Sequence, residues 1–240
     1  MFCERLFIYS ASILLIEGQC RMSSTRVVIV EDNDIMQLGL KTFIADLSDY
    51  RLAGTFSTLN HLYRYLDEHG ADILILDDSM PSLDTADILR YLRFNYSSLK
   101  VIVFGTDLYA PLIREYLAEG ALAYIYKEEQ LRHCLAEGLH AVQHGTVYIS
   151  HQASMLLINP ANHVRPLPKR AFQVLKGMAE GLGVEQIAKR LSVSKKAVYS
   201  AQDRLRELFN VRRNEAVVAE AMAQGILKGQ DLNSHHKSAK

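Results

Sequence analysis

The stretch Asp72-Ile-Leu-Ile-Leu-Asp-Asp-Ser-Met-Pro81 decides the fold class that this sequence predicts. Its four consecutive aliphatic residues, Ile73 to Leu76, are typical of a short strand buried on both faces of a parallel sheet. The apolar run ends at Asp77-Asp78, and Pro81 lacks the amide hydrogen that further strand pairing requires. Open α/β sheets place functional residues at the carboxyl ends of their parallel strands. Asp77 is therefore a candidate functional carboxylate, although a solvated loop after a strand would look the same in this stretch alone.

Strand and helix patterns alternate on both sides of this stretch. The predicted strands are 27–30, 51–58, 73–76, 100–104 and 124–126. The predicted helices are 35–47, 59–68, 85–94, 111–118 and 129–144. Five short apolar strands alternating with five helices predict an α/β fold with a five-stranded, doubly wound parallel sheet, because right-handed crossovers cover both of its faces.

The net charge of zero over 240 residues hides an asymmetry between two parts of the chain. Residues 24–149 carry 18 acidic and 10 basic residues, which gives a net charge of −8. Residues 167–227 carry 6 acidic and 11 basic residues, which gives +5. An acidic part joined to a small basic part indicates metal binding or catalysis in the first and nucleic-acid binding in the second.

The N-terminal residues 1–22 precede the first convincing strand. Their apolar run, Leu6 to Ile16, is shorter than the roughly 20 residues that a membrane span needs, and no small-residue cleavage site follows it. We expect an extension from a misassigned start before Met22, or else a disordered or membrane-touching tail. The three cysteines have no metal-ligand spacing and fit a reducing compartment, so the sequence predicts a cytoplasmic protein without a membrane partner.

Charged residues stand at three predicted strand ends. Glu31 and Asp32 end the first strand, Asp77 ends the third, and Lys127 ends the fifth. Three carboxylates at one sheet edge repel one another unless a cation is present, and hard oxygen ligands suit magnesium, Mg²⁺. Lys127 adds a fixed positive charge suited to an oxyanion or a phosphoryl group.

Residues 26–144 resemble the receiver domain of bacterial response regulators. The motifs that carry the resemblance are Val30-Glu-Asp-Asn33, Leu76-Asp-Asp-Ser-Met-Pro81 and Gly120-Ala-Leu-Ala-Tyr-Ile-Tyr-Lys127. The resemblance implies a flavodoxin-like sheet order 2-1-3-4-5. It also implies that Asp77 accepts a phosphoryl group from a sensor histidine kinase or phosphotransfer protein. Its further site residues are Glu31, Asp32, Asp77 and the backbone carbonyl of Ser79 as Mg²⁺ ligands, Lys127 as the phosphoryl contact, and Tyr124 as the switch aromatic.

One position departs from the receiver pattern. The family carries Thr or Ser at the end of the fourth strand, where Gly105 stands in this chain. Thr106 follows one residue late, and the two-residue period of a strand aims it elsewhere. Because glycine is flexible, Thr106 or its amide is an alternative phosphoryl contact beyond the strand end.

The rest of the chain predicts a linker, a small helical domain and a tail. Residues 150–166 lack periodicity and contain prolines, with a helical turn weighed at Ala153 to Ile158. Helices are predicted at 169–180, 184–191, 195–209 and 214–227, and residues 228–240 form a disordered tail. A short helix, a tight turn and a longer basic helix indicate a helix-turn-helix, although a helical interaction bundle has the same pattern.

The helical part resembles the LuxR-type helix-turn-helix, so the chain from Arg26 to Leu227 is similar to regulators of the NarL/FixJ type. The supporting motifs are Leu167-Pro-Lys-Arg170, Ala179-Glu-Gly181, Glu185-Gln-Ile-Ala-Lys-Arg-Leu191 and Val193-Ser194. Where the family usually has a lysine, and a histidine two residues later, this chain has Tyr199 and Ala201. These departures indicate an unusual or relaxed DNA site. Candidate DNA contacts are Lys195, Lys196, Tyr199, Ser200, Gln202, Arg204 and Arg206. The cations would hold phosphate, whereas Tyr199, Ser200 and Gln202 would reach base edges.

The sequence as a whole predicts a cytoplasmic response regulator rather than an enzyme, acting as a homodimer on double-stranded DNA. Two alternatives remain open. Gly105 favours a regulator that works without phosphorylation. Tyr199, Ala201 and Asp203 in the predicted helix 195–209 favour an interaction or antagonist protein that has lost specific DNA binding. A phosphohydrolase using Asp77 is disfavoured because Ser79 stands where a second carboxylate is needed.

Overall fold

The computed structural model describes residues 24–79, 84–159 and 166–227. The predictions of an N-terminal extension at 1–22 and a tail at 228–240 lie outside the described residues. So does part of the predicted linker.

A parallel sheet forms the centre of the N-terminal part. Its strands are β1 (Thr25–Val30), β2 (Tyr50–Phe56), β3 (Ile73–Asp77), β4 (Lys100–Gly105), β5 (Ala121–Tyr126) and β6 (Tyr148–Ile149). Their order across the sheet is β2-β1-β3-β4-β5-β6, and every pairing is parallel. The predicted order 2-1-3-4-5 is therefore confirmed, and all carboxyl strand ends lie along one edge.

Helices cover both faces of this sheet. They are α1 (Asp34–Ala45), α2 (Leu59–His69), α3 (Thr85–Asn95), α4 (Ala110–Ala118), α5 (Leu131–Gln143) and α6 (His151–Ile158). Because strand side chains alternate, Leu74 and Tyr124 pack with α2, α3 and α4, whereas Ile75 and Phe104 pack with α1 and α5. Every residue of β3 is buried, as the aliphatic run predicted.

Two elements differ from the sequence-based prediction. One is a strand that was not predicted, and the other is a helix within the predicted linker. The sheet has a sixth strand, β6, which pairs with Ala123 and Tyr124 of β5. Two residues are too few to show a strand period, so the prediction of five strands was incomplete. The predicted linker also contains α6, whose buried Ala153 and Leu156 pack in the core that includes α4. Tertiary burial therefore stabilises a helix whose own sequence pattern is weak.

The C-terminal part is helical within residues 166–227. It consists of α7 (Lys169–Ala179), α8 (Val184–Arg190), α9 (Lys195–Phe209) and α10 (Asn214–Ala223). Each of them corresponds to one of the four predicted helices. The Ser194 side chain accepts a hydrogen bond from the amide of Ala197 and so caps α9, as predicted. The turn before it contains Ser192 at φ 51°, a left-handed conformation that separates α8 from α9. The helix α10 ends four residues earlier than predicted.

Candidate functional site

The carboxyl edge of the sheet brings three charged side chains together. Lys127, just after β5, places its Nζ 2.7 Å from Asp77 Oδ1 and 2.9 Å from Glu31 Oε2. The side chains of Asp77 and Glu31 are each 2% exposed, and that of Lys127 is 10% exposed. A buried ammonium group thus bridges two buried carboxylates that are 46 residues apart in the chain. The predicted convergence of these strand ends is present in the structure.

The same edge offers oxygen ligands for a divalent cation. Glu31, Asp32 and Asp77 each provide one carboxylate oxygen, and these oxygens lie within 4.8 Å of one another. Asp32 is exposed, so one side of the group is open to water. A compact set of oxygen ligands with room for water fits Mg²⁺, which retains part of its hydration shell in proteins. The residues present therefore fit this ion.

Asp77 is held in its ionised form. Burial alone would raise its pKa, but Lys127 and two hydrogen bonds from Ser79 together lower it below the ordinary value. The Ser79 amide and hydroxyl donate to Asp77 Oδ1 over 2.9 and 2.6 Å. These two hydrogen bonds direct the amide and the hydroxyl of Ser79 towards Asp77. The role of the Ser79 carbonyl as a metal ligand stays a prediction. An ionised carboxylate is the form that can act as a nucleophile.

The pKa values of Glu31 and Lys127 are both raised, for different reasons. Burial and the neighbouring charge of Asp77 raise the pKa of Glu31, in spite of Lys127. Burial lowers the pKa of Lys127, but Asp77 and Glu31 more than compensate, so its pKa is raised overall. Lys127 thus carries a fixed positive charge beside the candidate nucleophile, as the sequence predicted.

Gly105 lies at the end of β4 against the hydroxyl group of Tyr124. A Cβ atom on Gly105 would lie 2.4 Å from Tyr124 Oη and 2.7 Å from Asp78 Oδ2. Tyr124 is fully buried, and its hydroxyl donates a 2.6 Å hydrogen bond to the Asp107 carbonyl. The tyrosine therefore occupies the space that a larger residue at 105 would need. Thr106 follows Gly105 in the chain but is exposed, so its side chain does not lie in the buried space beside Tyr124.

Asp78 is a buried acid that the sequence did not single out. It is 1% exposed, and its Oδ2 atom has no hydrogen-bond partner among the described residues. Burial raises its pKa to about 7; Lys169 opposes this, and the charges of Asp107 and Asp77 add to it. In the sequence Asp78 is one of two adjacent acids after a strand, and the structure buries both of them.

The helix α9 presents most of the predicted DNA contacts to solvent. Lys195, Lys196, Tyr199, Ser200 and Arg204 are exposed, and Arg206 is half-buried in contacts with Asp203 and Asn214. Gln202 is different, because it is 6% exposed and lies on the inward face with Val198 and Leu205. Its predicted base contact is not supported by this geometry. The period of the helix places residue 202 four positions after residue 198, on the core side.

A cleft of about 930 Å³ separates part of α9 from the sheet edge. Ser200 and Arg204 line it from the basic side, and Asp32, Asp84 and Asp107 line it from the acidic side. The two oppositely charged parts of the chain therefore face each other across this cleft.

Two family models match the chain. Residues 27–137 match the response regulator receiver domain, and residues 165–221 match the bacterial regulatory proteins of the luxR family. The chain belongs to the response regulators. It is of the type that joins a receiver to a LuxR-type helix-turn-helix, and the predicted NarL/FixJ resemblance is confirmed.

Relatives of this response regulator match over nearly their whole length. Response regulator UvrY of Escherichia coli (strain K12) is 21% identical over 215 residues, which cover 87% of this chain and 98% of UvrY. Transcriptional regulatory protein UhpA of Salmonella typhimurium is 26% identical over 199 residues, covering 83% and 98%. The similarity thus extends over both domains of this chain.

Solved structures of RcsB have the same fold. A Salmonella typhimurium RcsB structure aligns with a TM-score of 0.55 at 25% identity, covering 83% of this chain and 98% of RcsB. RcsB from Salmonella enterica serovar Typhimurium, bound to the promoter rprA in the presence of phosphomimetic BeF₃⁻, aligns with a TM-score of 0.57 at 23% identity, covering 82% and 98%. Among the described residues of this response regulator, no helix has the length and apolar character needed to cross a membrane.

Proposed function

We propose that this response regulator accepts a phosphoryl group on Asp77 and controls transcription by binding double-stranded DNA through its C-terminal helices. The observation that carries the proposal is the contact of Lys127 with both Asp77 and Glu31 at the carboxyl edge of the sheet. It combines an ionised nucleophile, a fixed cation and additional oxygen ligands in one place. This combination is the one that phosphoryl transfer to a carboxylate needs.

In the proposed reaction, a carboxylate oxygen of Asp77 attacks the phosphorus of a phosphohistidine on a sensor histidine kinase or a phosphotransfer protein. An O–P bond forms and the P–N bond breaks, and the histidine nitrogen retains the electron pair and takes up a proton. The product on this chain is an acyl phosphate. Lys127 is placed to stabilise the phosphoryl oxygens as their negative charge moves to Asp77.

Mg²⁺ would bind beside the nucleophile. The side chains of Glu31, Asp32 and Asp77, with the backbone carbonyl of Ser79, would hold it. The ion would neutralise charge on the phosphoryl oxygens when bound. Lys127, whose Nζ lies 2.7 Å from Asp77 Oδ1, would pair with the phosphoryl group.

DNA binding rests on the charge and exposure of the C-terminal part. This part carries a net charge of +5, and α9 exposes Lys195, Lys196 and Arg204 for phosphate contacts. Tyr199 and Ser200 are exposed on the same helix and are the proposed base contacts. Structures of two RcsB dimers bound to DNA support the same activity here, in a homodimer.

We assign the receiver to residues 24–149, the linker to 150–166 and the DNA-binding domain to 167–227. A regulator of transcription that receives its signal from a kinase would act in the cytoplasm. Its role would be regulatory rather than enzymatic, because Asp77 would itself be modified and would not turn over a substrate.

A second candidate is a regulator that binds DNA without phosphorylation. The specific observation in its favour is the close approach of Tyr124 to Gly105, which leaves no room for the Thr or Ser side chain that the family uses. An antagonist that has lost DNA binding is less well supported, because the cations of α9 are exposed.

The test measures labelling and DNA binding separately. Acetyl phosphate or beryllofluoride with Mg²⁺ should modify the full chain, as read by intact mass or by fluoride resonance signals, and Asp77→Asn should abolish the modification. Duplexes recovered in a genome-wide DNA pull-down should depend on the phosphodonor. Unchanged labelling of Asp77→Asn contradicts the phosphoacceptor assignment. Equal DNA recovery by wild type and Asp77→Asn, with no response to the phosphodonor, selects the phosphorylation-independent alternative.

A further inference from the structure

A row of four side chains of the types that bind metal ions runs along the exposed side of α5. The row consists of His133, Glu137, His140 and His144, and all four residues are exposed. Residues three and four apart are neighbours on a helix surface, so these side chains lie on one face. The buried residues of α5, which include Leu135 and Leu139, lie on the opposite face. Packing of the receiver core therefore does not account for the row.

The two histidines at the end of the row are close enough to act together. The ring centroids of His140 and His144 are 4.5 Å apart. Two histidines at positions i and i+4 of a helix can bind one zinc ion, Zn²⁺, from the same face. Each imidazole nitrogen then lies about 2.0–2.1 Å from the ion. The pair thus has the spacing of a chelate built from two histidines.

A hydrogen bond orients the ring of His144 for metal binding. Its Nδ1 atom lies 2.8 Å from the backbone carbonyl oxygen of His140. A carbonyl oxygen can only accept, so Nδ1 carries the hydrogen in this contact, and the Nε2 atom of the neutral ring keeps its lone pair. Histidines that bind metal ions are almost always oriented by such a hydrogen bond from their second ring nitrogen. Nε2 of His144 is therefore the atom available for coordination.

Hydrogen bonds to Gln143 hold this end of α5 in place. The Gln143 side chain accepts from the Tyr50 hydroxyl and donates to Thr25 Oγ1, each over 2.8 Å. The Gln143 carbonyl accepts from Lys100 Nζ over 2.6 Å. These contacts join the end of the helix to the first residues of β2, β1 and β4, at the amino edge of the sheet. A backbone that is already fixed lowers the entropy cost of holding two rings on one ion.

We propose that His140 and His144, with Glu137 as a third ligand, form a binding site for a divalent transition-metal ion of the zinc class. Glu137 is three residues before His140 and exposed on the same face. Two imidazoles and a carboxylate suit Zn²⁺, whereas Mg²⁺ prefers oxygen ligands alone. Water completes the coordination, because the row faces solvent. His133 is seven residues before His140, about 10 Å along the helix axis, and is too far away to share the ion.

This site is separate from the acidic group at the carboxyl edge of the sheet. The end of α5 lies at the amino edge, and its ligands are mainly nitrogen atoms, which are poor ligands for Mg²⁺. The ion binds two residues in the last turn of a folded helix. Its binding therefore stabilises the folded chain and does not require phosphorylation.

The experiment follows the reaction of each histidine with diethyl pyrocarbonate, which attacks an imidazole nitrogen that has a free lone pair. The full chain is treated with and without a slight excess of Zn²⁺, and an excess of Mg²⁺ is present throughout to occupy the acidic group. Peptide mass spectrometry reads the modification at each position. Zn²⁺ should protect His140 and His144 and leave the modification of His133 and His151 unchanged. Both of the latter residues are exposed.

Single substitutions in the row test whether the ligands act together. His144→Gln should remove the protection of His140 as well, because one imidazole is not a chelate. The Zn²⁺ concentration for half-protection should rise by at least about tenfold, since losing even a group that only orients a ligand costs about 10–100-fold in metal affinity. Glu137→Gln should raise this concentration by a smaller factor. His133→Gln, on the same face of the same helix, is the matched control and should behave as the wild type.

Three results overturn the proposed site. The first is protection of His140 that persists in His144→Gln. The second is protection of the wild type only at a large excess of Zn²⁺ over the chain, which is an adventitious contact. The third is loss of protection in a variant with both His235→Gln and His236→Gln, which would place the ligands in the segment after residue 227. Unchanged half-protection in Glu137→Gln overturns the assignment of the third ligand.

Discussion

The hydroxyl oxygen of Tyr124 would lie 2.4 Å from a Cβ atom on Gly105. Real side chains do not approach so closely, so the inward position of the tyrosine requires glycine at residue 105. The hydrogen bond to the Asp107 carbonyl then fixes the ring in this position. A Thr or Ser side chain at residue 105, as in the family, and the buried Tyr124 hydroxyl would occupy the same space. In this chain Tyr124 occupies it.

We expect Gly105→Ala to destabilise the full chain by about 1–3 kcal/mol, because the added methyl group overpacks the space beside Tyr124 and Asp78. Tyr124→Phe in the same background should recover part of this loss, since the closest atom is removed. Urea unfolding measures both effects. Gly39→Ala is the control: Gly39 lies in α1 with open space around it, and alanine there should stabilise by about 1 kcal/mol. Equal effects at the two glycines would refute the steric account.

Lys127→Met should reduce the rate of phosphoryl uptake from acetyl phosphate by about 10²–10³-fold. The physical reason is the loss of a fixed charge placed to stabilise the phosphoryl oxygens, an effect of the size seen when a preorganised donor is removed. Intact mass spectrometry over time gives the rate. Lys189→Met, at an exposed lysine of α8, should leave the rate unchanged; similar rates in both variants would rule out this role for Lys127.

The contribution of Asp78 to the stability of the wild type should fall as the pH rises from about 4 to about 7. The pKa of Asp78 is raised by burial to about 7, against about 3.9 for an aspartate in an unfolded chain. Between these values the folded state binds more protons than the unfolded state, so stability decreases with increasing pH. Asp78→Asn cannot titrate and should lack this part of the decline. Urea unfolding in buffer without Mg²⁺ tests this, and parallel pH profiles would contradict it.

Substitutions on α9 should separate affinity from sequence preference. Arg204→Ala should weaken binding to all duplexes alike and reduce the slope of log affinity against log salt by about 1. Ser200→Ala should instead change the preference at one base pair, by about 1–3 kcal/mol. Gln202→Ala should lower stability with sequence preference unchanged, because Gln202 is buried. Titration of labelled duplexes at several salt concentrations distinguishes these results. If Arg204→Ala keeps the wild-type slope of log affinity against log salt, Arg204 makes no phosphate contact.

The predictions that succeeded rest on short-range patterns. The aliphatic run before Asp77 predicted a buried strand, and the alternation with helices predicted a parallel sheet with its carboxyl ends at one edge. Those two facts are enough to bring Glu31, Asp77 and Lys127 together, because strand ends in a parallel sheet converge wherever they lie in the chain. The spacing and the turn predicted the four C-terminal helices, and the resemblance to LuxR-type motifs identified them as a helix-turn-helix.

The features that the sequence did not predict depend on packing between distant residues. The strand β6 has only two residues, and α6 forms because Ala153 and Leu156 are buried against the sheet's covering helices. Gln202 stood among polar neighbours in the sequence, yet it turns towards the core of the DNA-binding domain. A residue's polarity does not show which side of a helix will be covered.

The sequence by itself determined the two-domain architecture, the charge of each part and the chemistry at the end of β3, because these depend on local periodicity and on residue type. Only the tertiary structure decided what surrounds that chemistry. It placed Tyr124 in the space beside Gly105, buried Asp78 next to the nucleophile, and brought Lys169 from 91 residues away to the Asp78 carbonyl. Such contacts join segments that are remote in the chain, and their geometry is fixed by the packing of the whole molecule and by no single stretch.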